Sequence, residues 1–341
     1  MRRNILVTGA TGKQGLALIK ALLPTTETSS SVGEIQAEQH MYHIYALTRN
    51  ITSPAAQHLS SSSQNLTVVE GNLDQPDSIR KLFNDAKGDG GIWGVFAVLA
   101  FPGLGAEADG EERQGKMLAD IALEFNVGCF VYSSAGRSGP EYEDRLTLSR
   151  LAKRNVERYC VELGERGLKW TILRPGFFVE NFGGFIGRIT ASVLKSGLDA
   201  DTTVGLIATE DIGNVAASVF RDHEKYRSKF LLVIAEFVTM DQMYASYQRA
   251  KGKPMPSIPW VFGKLLLKFN KATQELMEDI KGSHHARTSG QYPSSVAERE
   301  LALEAYKMKS YEEWLAAGKD GKENQPGWNQ VSLAKLLTGK H

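Results

Sequence analysis

The residues Gly9-Ala10-Thr11-Gly12-Lys13-Gln14-Gly15 stand between a short apolar run, Asn4 to Thr8, and an apolar segment of helical period, Gly12 to Leu23. Glycines at a strand-to-helix turn let the backbone approach a phosphate, and the helix start offers N–H groups and the positive end of its dipole. The chemistry is binding of a dinucleotide pyrophosphate; a turn that only packs helix on strand is the plainer alternative. The second apolar run ends in Ala46-Leu47-Thr48-Arg49-Asn50, with no carboxylate to accept a ribose 2′-hydroxyl. Arg49 instead presents a fork of donors suited to a 2′-phosphate, and Lys13 adds a second cation. NADP is therefore favoured over NAD, against the reading of Arg49 as a solvated strand-end cation.

Two further strand ends belong to the same expected crevice. Gly71-Asn72-Leu73-Asp74 closes the third run, where an adenine-facing side chain is expected, and Leu99-Ala100-Phe101-Pro102 closes the fourth. Other chemistries lack their residues. The pair His284-His285 has no Cys or carboxylate at metal-ligand spacing and reads as a solvated loop, so no metal is expected. There is no Gly-x-Ser-x-Gly elbow, no phosphate loop ending in Gly-Lys-Ser/Thr, and no basic stripe with interleaved aromatics.

These groups must be positioned by a sheet. Strands are expected at Asn4 to Thr8, Tyr42 to Thr48, Leu66 to Glu70, Ile92 to Leu99, Gly128 to Ser133 and Trp170 to Leu173. Helices are expected at Gly12 to Leu23, Pro76 to Ala86, Glu111 to Phe125 and Asp144 to Glu165. This alternation predicts an α/β fold, a Rossmann-type doubly wound parallel sheet, with a smaller mixed C-terminal region. The boundary falls near 175: residues 1–175 form the dinucleotide domain, with a polar insertion over 25–40, and 176–341 form the substrate or partner region, interleaved with the sheet. In that region Val204 to Phe220 is left unassigned and Phe230 to Val238 reads as one strand. Pro259 to Ile280 reads as one amphipathic helix, whose stripe of Leu265, Leu266, Phe269, Leu276 and Ile280 is assigned to the core. The tail from Gly318 reads as a solvated loop before a last short helix.

The 341 residues carry 40 Lys and Arg against 39 Asp and Glu, so no global field draws the chain to nucleic acid or membrane. Two cysteines, Cys129 and Cys160, suit packing in a reducing compartment. Ile5-Leu6-Val7 stops at Thr8-Gly9, so no secretory signal is expected, and no stretch reaches the roughly 18 apolar residues of a membrane span. The expectation is a cytoplasmic protein, with the nucleus as a second compartment, and no direct nucleic-acid or membrane partner.

Taken in series, these motifs resemble the NmrA-like family of atypical short-chain dehydrogenases, relatives of the isoflavone-reductase-like proteins. The matching pieces are the glycine loop, Leu47-Thr48-Arg49, Val69-Glu70-Gly71-Asn72-Leu73-Asp74 and Phe130-Val131-Tyr132-Ser133-Ser134. Further on come Lys153 with Val156-Glu157-Arg158-Tyr159, Leu173-Arg174-Pro175-Gly176-Phe177-Phe178 with Asn181, and Thr209-Glu210-Asp211-Ile212-Gly213. The resemblance covers roughly residues 3 to 255. It implies an NADP-binding domain whose contacts come from Gly9, Thr11, Gly12, Lys13, Gln14, Gly15, Arg49, Asn72, Leu73, Leu99, Ala100, Phe101, Lys153, Pro175, Gly176, Phe177, Phe178 and Asn181. Asn72 departs from an Asp common in the family, but an amide can both donate to and accept from adenine.

Reductases of the wider superfamily place a Tyr four residues before a Lys on one helix, where the cation makes the phenol a usable acid. Here the Lys is Lys153, and Ser149 stands in the place of the Tyr. Of eleven tyrosines, Tyr247 has a Lys four residues on, Lys251, outside the expected helix. Tyr132 and Tyr142 could still reach the cleft. Lys153 bridges nicotinamide ribose hydroxyls, acts itself as acid or base, or is a solvated helix lysine; Ser133 orients substrate or caps a strand end. The resemblance thus implies a reductase of a small apolar or aromatic substrate, with Phe101, Phe177, Phe178 and Phe182 beside the cleft. Its alternative is a non-catalytic NADP sensor that regulates transcription through a protein partner.

Overall fold

Runs rich in β-branched and aromatic residues form the strands β1 (Arg3–Val7), β2 (Tyr42–Thr48), β3 (Leu66–Glu70), β4 (Gly94–Ala97), β5 (Cys129–Ser133) and β6 (Trp170–Pro175) of the computed structural model. The structure describes residues 2–23, 41–101, 103 and 106–318. With β9 (Lys229–Val233) these six make a seven-stranded sheet in the order β3-β2-β1-β4-β5-β6-β9, every pair parallel. The order reverses between β1 and β4, the switch point at which open α/β sheets bind ligands. Buried side chains occupy every position of β4, β5 and β6, as a parallel sheet covered on both faces requires.

Crossover helices cover the two faces. One carries α1 (Lys13–Leu22), with α7 (Thr209–Arg221) and α12 (Ser295–Ala305); the other carries α3 (Pro76–Asp85), α4 (Asp109–Glu124) and α5 (Leu148–Glu165). A short α2 (Pro54–Ser60), begun by the Ser53 cap and a first-turn proline, leads into β3. A second core gathers around β7 (Phe177–Phe178), β8 (Val204–Ile207) and β10 (Glu236–Val238), a three-stranded mixed sheet. It packs with α6 (Gly184–Gly197), α9 (Met240–Lys251), α10 (Trp260–Phe269), α11 (Lys271–Thr288) and α13 (Tyr311–Ala316), while α8 (His223–Tyr226) links α7 to β9.

Several expected elements change. The run Phe230 to Val238 is two strands: β9 joins the main sheet, and β10 turns away to pair with β8. Val204 to Phe220 is the strand–helix pair β8 and α7. The fourth strand is shorter than Ile92 to Leu99, and α5 starts at Leu148, after a 3-10 turn over Pro140–Arg145. Pro259 to Ile280 is two helices, because the side chain of Asn270 accepts from the Thr273 N–H at 2.9 Å and starts α11 there. The expected insertion at 25–40, Pro102 and the tail after Gly318 lie outside the described residues.

Candidate functional site

Parallel strands bring their carboxyl ends to one edge, so the residues after β1 to β6 share it. Gly9 turns the chain out of β1 with φ +58°, and its carbonyl accepts the Gly12 N–H at 2.9 Å. A Cβ on Gly15 would lie 2.4 Å from the Gly9 oxygen, so this glycine lets α1 settle onto the turn. A Cβ on Gly12 would meet only the Gly9 oxygen, at 3.1 Å. Gly12 itself is exposed, and α1 starts without a side-chain cap or an acidic residue in its first turn. This backbone fits a phosphate. The Thr8 hydroxyl donates to the Val98 carbonyl and accepts the Val98 N–H, both at 2.8 Å, which locks β1 to β4 at the switch point.

Around this turn, Thr11 and Lys13 are half-buried, and Gln14 Oε1 accepts the Ser133 hydroxyl at 2.6 Å. Ser133 thus ties the end of β5 to α1. The buried Glu180 carboxyl is pushed up by burial, against hydrogen bonds from Thr209 and the nearby Lys13 charge. Arg49 is exposed at the tip of β2, close enough to Asp74 to act on its carboxylate. Hydrogen bonds from Gln114 and Arg113 are the main forces holding Asp74 below the usual carboxylate range. Asn72 accepts the Asp74 N–H through Oδ1 at 3.0 Å, beside the half-buried Leu73. Leu99 is buried, Ala100 and Phe101 are exposed after β4, and Phe178 and Asn181 are half-buried after β6.

A cavity of about 860 Å³ opens on this edge. Of the predicted residues, Phe101, Lys153, Pro175, Gly176 and Phe177 line it; the glycine loop, Arg49, Asn72, Leu73, Leu99, Ala100, Ser133, Phe178 and Asn181 do not. Lys153 pairs with Oε1 of Glu111, a nearly fully buried carboxylate on the first turn of α4. Ser149, one turn before Lys153, donates to Glu111 Oε2 at 2.6 Å. Ser149 and Lys153 thus share the one carboxylate of Glu111. Tyr142 lines the cavity. Tyr132 does not: it is fully buried beneath α5, and burial pushes its phenol up. Tyr247 belongs to the second core.

The opposite wall is α11. His284 and His285, expected on a solvated loop, are helical and line the cavity. His284 Nδ1 accepts the Thr203 backbone N–H at 3.1 Å and lies 3.0 Å from the Thr203 hydroxyl, which also receives Arg287 at 2.6 Å. An Nδ1 that accepts leaves Nε2 to carry the ring proton. Burial, then the Arg287 charge, lowers the His284 pKa, so the neutral donor is the favoured form. The wall is joined to the sheet domain by an ion pair from Arg150 to Asp279. Deeper in, buried Glu157 accepts from Ser134 at 2.5 Å and Arg174 at 2.7 Å and pairs with Arg137; Arg174 reaches Tyr292 at 2.8 Å and Glu298 at 3.1 Å. Among the described residues no group of three or more His, Cys, Asp or Glu could hold a metal ion, and no helix is long and apolar enough to cross a membrane.

Comparison with known proteins matches a sequence model described as the NmrA-like family over residues 1–315. The chain belongs to the NmrA-like family. This match extends beyond the resemblance drawn above, through α10, α11 and α12. The NmrA-like family domain-containing oxidoreductase ptmS of Penicillium ochrochloron is 25% identical over 275 residues, which is 74% of each chain. Among solved structures, NmrA, a negative transcriptional regulator in complex with NADP, superposes with a TM-score of 0.63 at 18% identity, covering 96% of this chain and 99% of that one. The NADPH-dependent quinone oxidoreductase QOR2 of Escherichia coli, complexed with NADPH, gives 0.62 at 17%, covering 92% and 99%. These structural likenesses establish the NmrA-like architecture: a doubly wound sheet joined to a smaller mixed sheet.

Proposed function

We propose that this chain binds NADP(H) along the glycine-loop edge and reduces a small apolar or aromatic substrate in the adjoining cleft. One juxtaposition carries the reading: the cleft opens on the same strand-end edge as the exposed Gly12 turn, with Lys153 fixed in its lining by the buried Glu111. Gly12 and the first N–H groups of α1 would take the pyrophosphate. Arg49, with Lys13, would take the 2′-phosphate, for which the tip of β2 offers no competing carboxylate. Named oxidoreductases among the relatives, and neighbours solved with NADP(H), support this assignment.

When bound, the cofactor supplies hydride. The chain's own residues then bind the substrate, exclude water and provide the accompanying proton. Without a Tyr at 149, the candidate donors we favour on the cleft lining are Lys153, Tyr142 and His284. Lys153 is the first choice, because Glu111 and Ser149 fix its position. Phe101 and Phe177 add apolar surface to the lining, which suits a flat aromatic ring. The test is NADPH oxidation with a panel of quinones and aromatic ketones. Turnover by the native chain, lost in Lys153→Met while NADPH still binds, is the expected result.

A second reading rests on the same lysine. Its partnership with Glu111 and Ser149 also suits a purely structural or ribose-holding role, as in a regulator that signals NADP state to a protein partner. Absence of turnover on the whole panel, with NADPH and NADP⁺ bound at different affinities, would favour it.

A further inference from the structure

The helix α10 presents the wrong face to solvent for an ordinary surface helix. Gly263, Leu266 and Leu267 turn inward, with Gly263 seated against the Ser192 backbone of α6. The seven outward positions are Trp260, Val261, Phe262, Lys264, Leu265, Lys268 and Phe269. Trp260 is 62% exposed, Phe262 55%, Leu265 51% and Phe269 73%. An amphipathic helix at a water surface reserves that face for polar residues. Another exposed aromatic, Phe185, stands on the first turn of α6, the helix against which α10 packs.

The two charged residues on this face, Lys264 and Lys268, are both basic. Between Asp241 and Glu275 the sequence carries six basic residues and no acidic one; of these, Arg249 pairs with Glu312 and Lys271 with Glu275, while Lys264 and Lys268 stand on the exposed face. Lys264 and Lys268 pair with no carboxylate among the described residues; their ammonium groups lie over the rings of Trp260 and Phe269, at 4.7 and 5.5 Å from the centroids. Long lysine stems lying along aromatic surface, with charged heads free to rise, are what an interfacial helix uses at a bilayer. A partner protein with an apolar groove would meet the aromatics but would leave two desolvated ammonium groups to be paired. An anionic headgroup layer above acyl chains meets both demands at once.

We propose that the outer face of α10 is a docking surface for an anionic phospholipid bilayer, on which the chain sits peripherally. This replaces the expectation of no membrane partner, which came from a net charge near zero. That sum hides a local excess, and surface potentials act within about a Debye length. The proposal rests on α10 and its immediate surroundings and on no reading of the cleft.

The test is flotation of the full chain with vesicles of phosphatidylcholine, with and without phosphatidylserine. The expected result is association with the phosphatidylserine vesicles at low salt, weakened by high salt, accompanied by a blue shift of tryptophan emission that Trp260→Phe removes. Trp260→Ser with Phe262→Ser and Phe269→Ser, at exposed positions, should weaken association by roughly tenfold per aromatic removed. Lys264→Gln with Lys268→Gln should cost roughly fivefold per lysine on the anionic vesicles. The proposal is overturned by no association with either vesicle, by equal association with phosphatidylcholine alone, or by association that both variants retain. It is also overturned if the native chain is a dimer that the aromatic variant dissociates and that ignores vesicles, since the occupant would then be a second copy.

Discussion

Two regions face each other across the cleft, and they are held by different forces. The strand-end edge is fixed by backbone: parallel ladders, the Thr8 bridge to Val98, and the approach of Gly15 to Gly9. The wall of α11 is fixed by side chains: Arg150 to Asp279, Thr203 to His284, and, behind them, the Glu157–Arg174–Glu298 chain. Backbone geometry is indifferent to most substitutions and suits a constant ligand. Side-chain geometry changes with a single residue, so the α11 wall is the more easily altered of the two.

The largest effect should come from the wall's deepest support. Glu157→Ala strips buried Arg174 and Arg137 of their shared carboxylate, and removing one member of such a pair costs about 3–5 kcal/mol. Denaturant unfolding measures it, and a loss near zero would break the claim that side-chain pairs hold this side. Next, Gly12→Val should cost some stability, because its Cβ would lie 3.1 Å from the Gly9 carbonyl oxygen, but should weaken dinucleotide binding far more, by filling the phosphate position. Calorimetric titration reads the affinity, and unaltered binding would remove the glycine turn from the site.

A smaller effect belongs to Arg49. Arg49→Ala should weaken NADP(H) by about tenfold or more and leave NAD(H) almost unaffected, since a charge-assisted hydrogen bond contributes about 1.5–3 kcal/mol. Equal losses for both dinucleotides would contradict a 2′-phosphate role. The smallest effect concerns pH. The folded state lowers the His284 pKa below its usual 6.5, first by burial and then by Arg287. Its neutral form therefore stabilises the fold above the unfolded value, and this contribution is lost as pH falls through the folded one. His43 and His223 are shifted the same way, so the comparison is with His284→Gln, whose melting temperature should decline less steeply on acidification.

The two regions also differed in how far they could be read from residues alone. The edge was legible because each of its parts is local: a strand, a glycine turn and a helix start occupy consecutive residues. Seven parallel strands were more than the six expected, because β9 returns to the main sheet after the 176–228 stretch, and nothing near Phe230 announces that return. The partner of Lys153 was not legible, since Glu111 lies 42 residues earlier and looked like an ordinary helix-start carboxylate. His284 was misread for the same reason: without α11 as a wall, two adjacent histidines carry no signal. The stripe through Leu265, Leu266, Phe269, Leu276 and Ile280 kept a helical period across the Asn270 break. It concealed an outward α10, where Leu265 and Phe269 are exposed, behind an inward α11, where Ile280 is buried.

Titration of the purified chain with NADPH, NADP⁺, NADH and NAD⁺, followed by thermal unfolding, tests the central claim most directly. The phosphorylated pair should bind more tightly, and a ligand at about 100 times its dissociation constant should add roughly 2.7 kcal/mol of apparent stability. Failure of all four to bind, or a preference for NADH and NAD⁺, would contradict that claim.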